Sequence, residues 1–220
     1  MVYTVVVLTI VAYLLGSIPS AVWIGQHFYG IDIREHGSKN AGTTNMLRVL
    51  GRRAALPVFV IDFMKGFLAV TLSDLIAYDP EVHPNFIYNV KILLVVAAVL
   101  GHIFPLFANF RGGKGVATLA GAVMGVYPPA VLLCLGVWFG VLMFTHYVSL
   151  SSMIAGCMFP VFILISPRTN QSPTLIVFSF LVAILLLVTH RKNIRRLREG
   201  TESKIYIWKR PGQRPPRSEA

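Results

Sequence analysis

The sequence predicts an all-α, polytopic membrane helix bundle. Three observations carry that prediction: 55% of residues are hydrophobic against 13% charged, the mean hydropathy is +0.67, and the apolar residues fall in long runs separated by polar gaps. A helix needs about 20 mostly apolar residues to cross a bilayer, and a water-soluble domain has no use for so many such runs.

Seven runs meet or approach that length: 2–24, 54–77, 87–107, 116–127, 130–146, 150–166 and 174–190. The fourth is too short to cross as a regular helix unless the flanking loop continues it, which bounds the count at five to seven. The first lacks a basic leading segment and has Ile24-Gly-Gln in place of a small-x-small cleavage pattern, so it reads as a retained span and not a leader peptide.

The net charge of +11 is explained by where the cations sit. Alternate gaps hold five Lys/Arg (Arg34, Lys39, Arg48, Arg52, Arg53), then two (Arg111, Lys114), then ten after His190, whereas the opposite gaps hold Lys91 and Arg168. By the positive-inside rule the cation-rich face is cytoplasmic. The N-terminus is then outside and the C-terminus cytoplasmic, which requires an odd number of spans, and seven fits. A membrane topology, and not a nucleic-acid footprint, accounts for the charge, so no nucleic-acid partner is expected.

Cys134 and Cys157 lie in apolar runs without CxxC or Cys/His spacing and read as core packing residues. No metal is expected, because His36, His102, His146 and His190 have no ligand spacing. His102 reads as a brace for the loop that follows it.

Several polar clusters fall on the predicted cytoplasmic side. In Gly16-Ser-Ile-Pro-Ser20, Pro19 removes a donor, and Ser17 and Ser20 can serve the freed backbone. In His36-Gly-Ser-Lys-Asn40-Ala-Gly-Thr-Thr-Asn45, Gly37 and Gly42 permit close backbone approach, while Ser38, Asn40, Thr43, Thr44 and Asn45 offer neutral hydrogen-bonding groups. Arg48 follows with a planar fork suited to phosphate. The alternative is a capped turn, with Thr43 or Thr44 opening a short helix. In Arg111-Gly-Gly-Lys114-Gly115, a glycine-rich backbone can aim several N–H groups at an anion beside two cations. Ser149 and Ser152 place hydroxyls on the same side, and His190 and Asn193 share a helix face leaving the bilayer. Within the second run, Asp62 and Lys65 share a face, as a functional pair or as an ion pair that fixes packing. This sidedness argues against an anion transporter, whose polar groups belong near the midplane. It favours an enzyme that joins a soluble anion to an acyl chain.

In these residues the chain resembles the bacterial acyl-phosphate-dependent glycerol-3-phosphate acyltransferases. The resemblance rests on Gly16-Ser-Ile-Pro-Ser20, Gly37 to Asn45 with Arg48, Asp62-Phe-Met-Lys-Gly66, Gly101-His-Ile-Phe-Pro105, Phe110 to Thr118, His190 to Leu197, and Gly200-Thr-Glu202. It covers nearly the whole chain. Ala41 stands where the family often has Pro, and Arg111 where it often has Lys.

The resemblance implies a single acyltransferase domain over 1–200 and a basic, Pro-containing cytoplasmic tail over 201–220. It implies transfer of an acyl group from a long-chain acyl phosphate to the 1-hydroxyl of sn-glycerol 3-phosphate, giving lysophosphatidic acid and phosphate. This is the first acylation of phospholipid biosynthesis, at the bacterial inner membrane and without a cofactor. The partners it implies are the two substrates and membrane lipid, with room for the soluble enzyme that makes the acyl phosphate. Catalytic roles fall to Ser38, Arg48, Lys114, His190 and Asn193. Substrate contacts fall to Asn40, Gly42, Thr43, Asn45, Arg111, Gly112, Gly113, Gly115, Ser149 and Ser152. His27 and Asp32 form a His-x4-Asp spacing reminiscent of thioester-dependent acyltransferases, but the loop around them is unlike that family.

Overall fold

The first apolar run is broken at Pro19 into α1 (Val2–Gly16) and α2 (Ser20–Tyr29). Ser17 Oγ donates to Tyr13 O (2.8 Å), as expected of a hydroxyl at a break. Ser20 does not do the same: its hydroxyl donates to Asp62 Oδ1 (2.8 Å) on α4 (Arg52–Thr71). Lys65 Nζ, from the same helix, reaches the Ile18 carbonyl (2.8 Å) and pairs with Asp62 at 2.7 Å. Asp62 and Lys65 are therefore a buried ion pair that pins the elbow of the first run to α4.

This computed structural model describes residues 2–79, 85–166 and 172–206, and among them every regular element is helical. Beyond α4 come α5 (Phe86–Ile103), α6 (Val116–Met124), α7 (Pro128–Thr145), α8 (Val148–Leu164), α9 (Pro173–Thr189) and α10 (Arg191–Arg198); the short α3 (Thr43–Val49) precedes α4. All seven predicted apolar runs become helix. Among the described residues, four segments can cross a membrane by length and hydropathy, Val2–Tyr29, Arg52–Leu75, Phe86–Ala108 and Pro128–Thr145, and α9 with α10 makes a fifth bent by 58° at His190. The apolar α8 has 17 residues and α6 only 9. Large apolar side chains such as Leu56, Leu132, Phe144 and Val188 stand on the outer surface, as lipid-facing positions must.

Small residues let the helices of the site approach. Gly66 on α4 lies against the Thr118 carbonyl of α6, and Gly121 on α6 against the Phe63 carbonyl of α4; a Cβ at either would strike that oxygen. A second group of helices, α7, α8 and α9, packs on itself and closes against the first. The cysteine expectation fails here. Cys157 is exposed on α8 and Cys134 is only half-buried, since apolar residues of a membrane protein face lipid as readily as core.

Candidate active site

Asn45 holds the first polar loop. Its Oδ1 accepts from Ser38 N (2.9 Å), and its Nδ2 donates to Ile33 O and His36 O, both at 3.0 Å. A fully used amide, 2% exposed, it fixes the loop and leaves Ser38, Asn40 and Thr43 facing inward. Helix α3 starts at Thr43 after extended Gly42 and carries Arg48 one turn further.

The loop 112–115 comes from the other side. Gly113 N donates to His102 O and Gly112 N to Ile103 O, each at 3.2 Å. Gly115, in the left-handed region at φ +77°, turns the chain into α6. Lys114 points across to α10, where its Nζ donates to Asn193 Oδ1. Beyond the 58° bend, the chain after α10 returns to the bundle: Ile205 N bonds His146 O (2.8 Å), and Glu202 enters the site. Its Oε1 accepts from Ser149 (2.8 Å) and Asn193 (2.7 Å), and its Oε2 from Arg196 (2.6 Å).

These groups line one cavity of about 380 Å³. Its polar end gathers Ser38, Arg48, Lys114, His190, Asn193 and Glu202; its other walls are apolar, from Phe59 and Phe63 to Leu119 and Val123. The change of character is written along one face of α8, where Ser149, Ser152, Gly156 and Phe159 follow at helical spacing, hydroxyl first, then small, then aromatic. Ser152 Oγ donates to Val148 O (2.9 Å) and accepts from Trp138 Nε1 (3.2 Å), marking the boundary. Arg48 Nε and Thr43 Oγ1, both in residues that line the cavity, are buried without a hydrogen-bond partner. Such groups keep hydrogen-bonding capacity that a polar ligand can use. The arrangement suits a molecule with an anionic head and an apolar tail.

The glycerol-3-phosphate acyltransferase family profile matches residues 6–200. A glycerol-3-phosphate acyltransferase of Streptococcus pneumoniae (strain Taiwan19F-14) is 43% identical over 205 residues, covering 91% of this chain and 92% of its own. The corresponding protein of Salinibacter ruber is 40% identical over 213 residues, covering 92% and 93%. This chain belongs to the glycerol-3-phosphate acyltransferase family. Two crystal structures of PlsY, an integral membrane glycerol 3-phosphate acyltransferase, are similar at 33% identity. The glycerol 3-phosphate form has a TM-score of 0.79 and covers 92% of this chain and 96% of that one; the lysophosphatidic acid form has 0.76, covering 92% and 95%.

Burial lowers the Lys114 ammonium to about 8, opposed by Glu202 and reinforced by Arg196 and Arg48. Burial likewise lowers Arg48, with Glu202 pulling the other way. For Glu202 burial pushes up, but hydrogen bonds from Arg196, Asn193 and Ser149 outweigh it and hold the carboxyl below its ordinary value. Three cations thus share one acid, a local excess of positive charge. His190 Nδ1 is 2.8 Å from Leu186 O, which makes that nitrogen the donor and leaves Nε2 for other partners.

Of the residues expected at an acyltransferase site, Ser38, Asn40, Gly42, Thr43, Asn45, Arg48, Lys114, Gly115, Ser149, Ser152, His190 and Asn193 line the cavity. Three expected contacts do not. Arg111 is exposed, near enough to Asp32 to lower its carboxyl, after the larger effect of Arg34. The N–H groups of Gly112 and Gly113 are spent on Ile103 O and His102 O, so they form no anion cradle; their glycines serve close packing against α5. The His27–Asp32 spacing also dissolves, since both oxygens of Asp32 are held by Arg34. Among the wall residues not assigned to the site from sequence are the ionisable Asp62, His102 and Glu202. An ionisable residue in a span signals the first; Glu202, in a basic stretch, is marked only by the Gly200-Thr-Glu202 motif of the resemblance.

Proposed function

We propose that this acyltransferase moves the acyl group of a long-chain acyl phosphate to the 1-hydroxyl of sn-glycerol 3-phosphate, releasing lysophosphatidic acid and phosphate. The observation that carries the reading is the two-natured cavity: a cationic end built by Arg48 and Lys114, continuous with apolar walls that suit part of a fatty chain. Two phosphate-bearing reactants repel one another, and the excess positive charge offsets that repulsion where they meet.

The donor carbonyl is already activated by a good leaving group, so positioning and charge neutralisation supply most of the catalysis. The glycerol hydroxyl oxygen attacks the carbonyl carbon, its proton passes to a phosphate oxygen of the donor, and the carbon–oxygen bond to phosphate breaks. His190 and Asn193 hold glycerol 3-phosphate, Ser38 and Thr43 contact phosphate oxygens, and no cofactor is needed. The enzyme spans the bacterial inner membrane seven times, N-terminus out, with the cavity's polar end toward the cytoplasm. Cation placement and the seven apolar helices support that topology. Residues 1–200 form one acyltransferase domain, and 201–220 a basic tail whose first residues return to the site; the tail from 207 onward lies outside the described residues.

The test is donor choice. Purified protein is given glycerol 3-phosphate with palmitoyl phosphate, palmitoyl-CoA or palmitoyl-carrier protein, and lysophosphatidic acid is measured. Product from the acyl phosphate alone is expected; product from the thioesters alone overturns the donor assignment.

A further inference from the structure

His102 stands at the junction of both polar loops without belonging to either. It is 7% exposed at the end of α5. Its Nδ1 lies 3.1 Å from Thr118 Oγ1 on α6 and 3.5 Å from Asp62 Oδ1 on α4. Thr118 and Asp62 are themselves 0% and 1% exposed, and Asp62 is tied to Lys65 and Ser20. On its other side His102 carries the Lys114 loop twice. Its carbonyl accepts from Gly113 N at 3.2 Å, and its ring abuts the Gly113 backbone so closely that a Cβ there would strike Nε2. That same Cβ would lie 2.7 Å from Ala41 O, in the loop that Asn45 holds. The imidazole is thus a spacer: α4 and α6 grip one nitrogen, and the two site loops meet at the other.

From this juxtaposition we infer that His102 is a positioning residue, which sets the level of the Gly112–Lys114 backbone against the Ser38–Asn45 loop so that Lys114 and Arg48 face one cavity. The chemistry follows from reach. Lys114 is one residue from the contact, and a shift of the loop by a fraction of an ångström moves its ammonium relative to Asn193 and to a bound phosphate. A contact that holds a substrate phosphate alike in the bound pair and in the transition state shows its weakening in KM and not in kcat. The inference rests on the reading that Lys114 meets substrate phosphate.

Thr118→Val removes the hydroxyl that orients the ring while keeping the shape and the charge balance of the ion pair. Its expected effect is a rise of about tenfold in KM for one of the two phosphate-bearing substrates, with kcat within about twofold of wild type. Thr118→Ser, which restores the hydroxyl, should return KM to the wild-type value. His102→Gln is the stronger perturbation, read beside thermal unfolding in detergent. Unchanged KM values in Thr118→Val, or a loss of kcat that merely tracks the loss of folded protein in both variants, would overturn the inference. Failure of the donor assignment shows itself separately, as a wild-type enzyme that uses a thioester; KM for glycerol 3-phosphate still reports on the loop in that case.

Discussion

Lys114 donates a hydrogen bond to Asn193, a residue 79 positions later in the chain. That bond ties the glycine loop before α6 to the helix after the last apolar run. It places an ammonium, which burial has made costly, next to a neutral acceptor and within the field of Glu202. A lysine so placed is ready to exchange a weak partner for a phosphate.

Removing that ammonium should damage catalysis heavily. Lys114→Ala is expected to lower kcat/KM by about a hundredfold or more, the usual cost of deleting a charged group aimed at the reacting anion. Arg198→Ala, which deletes an exposed cation of α10, should leave activity within about twofold. Steady-state rates of the two variants check the assignment, and equal losses would defeat it.

The alkaline limb of the pH profile should belong to the same residue. Because the Lys114 ammonium sits near 8 and not at the ordinary 10.5, the free enzyme loses this charge as pH rises through about 8, and kcat/KM should fall there. Stability moves the other way. Burying the charged form costs folding free energy below about 8, and that cost fades between about 8 and 10.5 as both states deprotonate. Lys114→Arg, which cannot deprotonate in this range, should flatten the limb. Rates measured from neutral to alkaline pH would show it.

What the sequence carried was fixed by solvent, and what it hid was fixed by contact. Apolar runs declare themselves because hydrocarbon tolerates few polar side chains, so 54–77 and 87–107 became helices nearly as expected. Clusters such as Ser38 to Asn45 were legible because lipid-facing loops do not gather such groups without use. The Gly-Gly pair misled, since a glycine freed for anion binding and one required by helix packing look alike in sequence; the neighbours at Ile103 and His102 decide between them. The role of Glu202 was hidden for the opposite reason: its partners are brought to it by contact, Ser149 from far off in sequence and Asn193 and Arg196 across the turn at Gly200.

Glu202 should matter for folding and for activity together. Its carboxylate receives Ser149, Asn193 and Arg196, so Glu202→Gln keeps the size but gives up the charge that Arg196 and Lys114 face. Losing the charge of a buried acceptor that serves three donors leaves them uncompensated and destabilises the fold by on the order of 3 kcal/mol. The expected result is a lower melting temperature in detergent and a loss of activity beyond that from unfolding alone. Wild-type melting and wild-type turnover in this variant would refute its role as the hub of the polar end.

The His190 imidazole has two chemical uses, and substitution separates them. With Nδ1 held at the Leu186 carbonyl, His190 presents Nε2 to the cavity, where it can either remove the glycerol proton or merely accept a hydrogen bond from the hydroxyl. If the donor's own phosphate takes the proton, a neutral hydrogen-bonding group of similar reach is enough. His190→Gln should then retain most of the activity that His190→Ala loses. A general base offers no such rescue, because an amide cannot accept a proton at neutral pH. Turnover by the two variants, measured at saturating acyl phosphate, therefore decides whether the proton leaves through the protein or through the substrate, and equal inactivity would favour the protein.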